Sequence, residues 1–122
     1  MRFAYLTTDE VNEALALEIA HACGLALEPL VPKQGPPDAA YDAVLIDWDH
    51  WPSEQQAEFL ARLRGGLLPW PVGIHSYCLD DGAAETLRTG GAIIHRRLQP
   101  GVIRLLQKAA AARAHLDNPV VM

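Results

Sequence analysis

At 122 residues the chain has the length of one domain, and it can bury a core without disulfides or metals. Its residues are 50% hydrophobic and 20% charged, which excludes a mainly disordered polymer. A net charge of -5 with no long basic run argues against nucleic acid as the main partner. No apolar run approaches the roughly 20 residues of a spanning helix, so no membrane partner is expected.

The opening MRFAYLTTDE turns polar and acidic too early for a secretory signal, so the default compartment is the cytoplasm. Cys23 and Cys78 fit no metal-ligand or redox spacing and read as two reduced thiols. Residues 2–7 mix apolar and β-favouring types and predict a first strand. Thr7 and Glu10 have capping-box spacing, Val11, Leu15, Ile19 and Ala22 recur at helical intervals, and Gly24 ends the helix. Residues 25–31 predict a second strand, which Pro29 places at an edge or bulge because proline donates no ladder bond.

Residues 32–42 hold three prolines and a glycine and cannot sustain more than a turn of helix. Residues 43–47 are apolar up to Asp47, as a central parallel strand covered on both faces requires. Ser53 and Gln56 have the spacing of a second capping box, and the helix they start carries Phe59, Leu60 and Leu63 to Gly65 and Gly66. Strand four is expected at 71–77, a short helix at 81–88 and strand five at 92–96. A last helix over about 100–115 shows Val102, Leu105, Leu106, Ala109 and Ala110 on one face. Residues 1–116 are thus one domain and 117–122 a flexible tail. Strands alternating with helices imply right-handed crossovers and a parallel sheet, an α/β fold.

The order of these units, with Asp47 closing the apolar run DAVLI, Pro52 beyond it and Ser76 at the end of strand four, resembles the receiver domain of two-component response regulators. The resemblance runs over nearly the whole chain. It implies a flavodoxin-like, three-layer sandwich with a five-stranded sheet of order 2-1-3-4-5. The second helix is shortened or missing, since the Pro-rich segment occupies its place. The resemblance puts the phospho-acceptor at Asp47 and the family's Ser/Thr at Ser76.

Departures from the family pattern matter more. The acidic pair that would hold Mg²⁺ falls on Thr7 and Thr8, with Asp9 one step further on, and two neutral hydroxyls cannot replace the missing charge. The strand-five lysine is replaced by Arg96 or Arg97, Arg97 fitting better. Its guanidinium is expected to form a standing ion pair with Asp47 or Asp49. The pocket is therefore expected to comprise Thr7, Thr8, Asp9, Asp49, Ser76, Arg96 and Arg97 around an inactive acceptor position at Asp47, with no catalytic residues, no metal and no cofactor.

A carboxylate motif of this shape also resembles the first motif of haloacid-dehalogenase-type phosphatases, but theirs lies on the first strand and too little chain follows for the rest. Trp48, Trp51 and Trp70 are expected near the ends of strands three and four, either as an interface or as packed core. His50, His75 and His95 lie near strand ends without ligand spacing. The basic set His95, Arg96, Arg97, Arg104, Lys108 and Arg113 reads as a solvated face, or as a docking patch for an acidic partner.

With no DNA-binding segment after the last helix, the expected function is that of a pseudo-receiver, signalling through a protein partner or a homodimer rather than by catalysis. Two alternatives remain open: a genuine phospho-accepting regulator using Asp47, and a small-ligand sensor at the strand C-termini.

Overall fold

The computed structural model describes residues 1–30, 41–66 and 70–117. Five strands form one sheet: β1 (Arg2–Leu6), β2 (Ala26–Leu30), β3 (Ala43–Asp47), β4 (Val72–His75) and β5 (Ile93–His95). All pairings are parallel and the order is β2-β1-β3-β4-β5. Four helices lie among the described residues: α1 (Glu10–Ala22), α2 (Ser53–Arg64), α3 (Asp81–Thr89) and α4 (Leu98–Asp117). The expected α/β class, the 2-1-3-4-5 order and the flavodoxin-like arrangement are all present. The segment expected to lack the second helix falls largely on residues 31–40, which lie outside the described residues, as do 118–122 of the expected tail.

Strand alternation divides the core into two halves. Phe3 and Tyr5 of β1 and Ala43 and Leu45 of β3 pack with Ala16 and Ala20 of α1 and with Val102, Leu105 and Ala109 of α4. Ala4, Leu6, Val44 and Ile46 face the other way and pack with Trp48, Trp51, Phe59, Leu63 and Leu87. The central strand β3 is buried along its length, as its apolar run requires. β2 pairs only with β1, so Pro29 sits on an edge strand, where its missing N–H costs no ladder bond.

Two glycines set this packing. Gly24 follows α1 with φ of +67°, a backbone region disfavoured for residues with a Cβ. Gly73 of β4 lets α4 lie close to the sheet, because a Cβ there would stand 2.9 Å from Cδ2 of Leu105.

Both expected capping boxes resolve differently. Asp9 caps α1, its carboxylate accepting from the Val11 amide, and Thr7 is drawn elsewhere. The residue before α2 is Pro52, with no side-chain cap, and Gln56 instead donates to the carbonyls of Trp48 (2.7 Å) and Trp51 (3.2 Å). That pins the turn between β3 and α2 to the helix. Asp80 caps α3 by accepting from the Ala83 amide at 2.9 Å.

Candidate functional site

In-register parallel pairing brings the C-terminal ends of β1, β3 and β4 to one edge of the sheet. The chain segments that follow them meet there, the usual ligand position in open α/β sheets. Asp47 is the last residue of β3 and, by alternation, shares the face of Ala43 and Leu45. That is the face covered by α1 and α4. Between those helices opens a cleft of about 640 Å³ whose wall includes Asp9, Asn12, Asp47, His50, Arg96 and Arg97.

Asp47 is 1% exposed, yet its carboxylate is well supplied with donors. The Thr7 hydroxyl donates to Oδ2 at 2.8 Å and the Asn12 amide donates to the same oxygen at 2.9 Å. Nδ1 of His50 lies 3.0 Å from Oδ2 and 3.2 Å from Oδ1. A buried carboxylate needs such partners, since burial without them is costly. The Asp47 hydrogen bond pushes the His50 pKa up.

Thr7 also accepts from the Asp9 amide at 3.0 Å, and the Thr8 hydroxyl donates to the His50 carbonyl at 2.8 Å. Two adjacent threonines thus tie the end of β1 to the turn after β3. Asp49 points the other way along the edge: it accepts from the Ser76 hydroxyl and, at 2.8 Å, from the Tyr77 amide.

Beneath this layer Tyr5 and His75 form a buried pair, with the phenol oxygen 2.7 Å from Nε2. Burial holds the His75 pKa below its ordinary value and pushes the Tyr5 phenol well above its own. A neutral imidazole accepts through Nε2 from a protonated phenol, which assigns the His75 ring proton to Nδ1.

The expected pocket is therefore assembled in part. Thr7 lies against Asp47 and Asp9, Thr8 against the His50 carbonyl, and Asp49 and Ser76 bond to each other. Arg96 and Arg97 reach the cleft wall but are exposed, and neither comes within 4.0 Å of a carboxylate among the described residues. The standing ion pair expected between Arg97 and Asp47 or Asp49 is not formed. His50, Thr7 and Asn12 already serve Asp47, and Ser76 serves Asp49. Arg97→Ala should consequently shift stability by no more than about 0.5 kcal/mol, as at other exposed positions. Urea unfolding checks this, and a loss above 1 kcal/mol would restore the buried pair.

The three indoles are core residues: Trp48, Trp51 and Trp70 are 6%, 4% and 6% exposed. Trp48 and Trp51 pack edge-to-face with Phe59 rather than display an aromatic rim. Arg104, Lys108 and Arg113 are exposed along α4, consistent with a solvated face.

Sequence reasoning missed Asn12, Tyr5 and the role of His50. Asn12 carried a weak signal, a polar amide in the first turns of a helix just after the first strand. Tyr5 and His75 carried none, because nothing in their spacing announces a hydrogen bond across seventy residues.

No family model and no curated protein matches this chain. Among solved structures, a chain described as the yeast Spc42 trimeric coiled coil, amino acids 181–211, fused to another structure is similar to it with a TM-score of 0.65. The two are 10% identical over 98% of this chain and 82% of the other, a likeness of fold alone. Among the described residues no helix is long and apolar enough to cross a membrane.

Proposed function

We propose that this chain is an atypical receiver-like domain that signals through protein contact and does not take up phosphate by the Mg²⁺-dependent route. The observation that carries the reading is the saturation of Asp47: Thr7, Asn12 and His50 crowd the carboxylate that would have to attack phosphorus. In this reading the neutral hydroxyl of Thr7 stands where the family places an acid, and its hydrogen bond fixes it as a donor to Asp47.

Mg²⁺ is the ion the resemblance implies, and the residues do not fit it. A hard cation with octahedral demands needs carboxylate and water oxygens, whereas Thr7 and Thr8 are committed as donors, and the side chains added beside Asp47 are the amide of Asn12, which donates, and the imidazole of His50. Without a cation to screen the moving phosphoryl group, the main electrostatic aid to transfer is missing. Contact with a partner is supported by apolar side chains that line the cleft and stand exposed, among them Leu15 at 45% and Tyr77 at 68%.

Intact mass after incubation with a small acyl phosphate and Mg²⁺ tests the reading. The expected result is an unchanged mass. One added phosphate, lost in Asp47→Asn, would make the chain a genuine phospho-accepting regulator.

The cleft between α1 and α4 favours a second reading, a small-ligand sensor. It has carboxylates on one wall and the exposed guanidinium groups of Arg96 and Arg97 on another.

A further inference from the structure

Donors and acceptors in the cleft between α1 and α4 do not balance. Asp47 is served by Thr7, Asn12 and His50, Asp49 by Ser76 and the Tyr77 amide, and Asp9 by the Val11 amide. The cations are not matched in the same way. Arg96 and Arg97 line the cleft, stand exposed and have no carboxylate within 4.0 Å among the described residues.

A third donor stands on the cleft floor. His75 is 4% exposed, and its Nε2 accepts from the Tyr5 phenol, which leaves the ring proton on Nδ1. That N–H has no partner among the described residues, where Trp51 Nε1 and Gln55 Oε1 are the only unpartnered side-chain atoms closed off from solvent. His75 Nδ1 is therefore open, and the opening that His75 lines is this cleft. A polar hydrogen held so deep calls for an acceptor. The first turn of α4 adds to the same field. It holds no acid, and Arg97 just before it has no acceptor with which to cap the unpaired amides.

Other parts of the wall are apolar. Leu15, Ile19 and Ala22 share one face of α1, and Leu98 and Pro100 stand across from them at the start of α4. We propose that this cleft binds an organic carboxylate with an apolar body, the carboxylate on Arg96, Arg97 and the Nδ1–H of His75 and the body along the α1 stripe. The proposal rests on the small-ligand reading of the cleft and names its ligand. A planar carboxylate matches the forked guanidinium donors, and it satisfies a neutral His75 without any transfer of a proton. A cleft of about 640 Å³ has the size of a small-molecule site. Glu18, the remaining acid of the lining, is exposed on α1, where water and salt screen it.

Calorimetric titration of the full chain with four probes tests the assignment: octanoate, octanol with the same body and no charge, octylamine with the opposite charge, and inorganic phosphate with charge and no body. Octanoate should bind once per chain, more tightly than each of the others by about tenfold or more. The double variant Arg96→Ala, Arg97→Ala, at exposed positions that leave the circular dichroism spectrum unchanged, should weaken octanoate by about tenfold or more. Leu15→Glu, which puts a charge into the apolar stripe, should weaken it as well. In nitrogen NMR spectra octanoate should move the Nδ1 signal of His75. No octanoate binding, equal affinity for any of the other probes, an undiminished affinity in either variant, or an unmoved His75 signal would each overturn the assignment. Octylamine binding in place of octanoate would sink the carboxylate and keep the small-ligand reading, whereas no binding by any of the four would sink both.

Discussion

Phe59→Ala should lower the stability of the fold by about 3–5 kcal/mol, the range for removing a fully buried aromatic side chain. Phe59 is wholly buried on α2, with its ring centroid 5.4 Å from that of Trp51 and 6.3 Å from that of Trp48, both edge-to-face. Each such pair adds roughly 0.5–1.5 kcal/mol beyond the area it buries. Against a typical domain stability of about 5–15 kcal/mol, the loss is a large fraction of the whole. A urea midpoint that falls with unchanged slope, together with altered tryptophan emission, is the expected observation. A loss below 1 kcal/mol would mean that the indoles close over the gap and are not packed as described.

Tyr5→Phe should cost about 1–3 kcal/mol, because it removes a buried donor and leaves His75 Nε2 as an unsatisfied acceptor. The same pair predicts a pH dependence. Burial depresses the folded-state pKa of His75 below its unperturbed 6.5, so above pH 6.5 the ring is neutral in both states and its stabilisation is complete. As pH falls below 6.5 the unfolded chain takes up a proton that the folded chain refuses, and stability declines until the folded pKa is passed. His50 acts in the opposite sense, since Asp47 raises its pKa, and its half-exposed position screens the effect. Urea unfolding at pH 7.5 and 5.5 in a His50→Ala background isolates His75. Equal stability at the two values would mean that the imidazole is free to protonate in place.

What the sequence could disclose followed from short-range rules. β3 was legible because a short apolar run, Ala43 to Ile46, following a Pro-rich segment and ending at Asp47 fits a strand covered on both faces, and Pro29 announced an edge. The caps were less legible. Thr7 and Glu10 have capping-box spacing, but the Thr7 hydroxyl is claimed by Asp47 forty residues away, and Asp9 is left to cap the helix. Such competition between a local and a distant acceptor has no trace in local spacing.

Arg97 failed for a related reason. Counting along the chain placed it at the right strand end but could not say whether its side chain turned inward, and His50 had already filled the inner position. The indoles were underdetermined by composition alone, since a large aromatic near a strand end serves a rim or a core equally well. Only the position of α2 decided it.

The sheet that carries the site also separates its two supporting layers. Tyr5 anchors the layer under α1 and α4, while Phe59 anchors the layer under α2 and α3, and the two side-chain clusters share no member. The exception is the turn after β3, where Trp48 and Trp51 flank Asp49 and His50, so that one short segment roots in the layer under α2 while it hands its polar side chains to the carboxylate edge. Remodelling beneath the indoles would therefore be felt at the edge through this turn, whereas the layer under α1 and α4 can change without moving it.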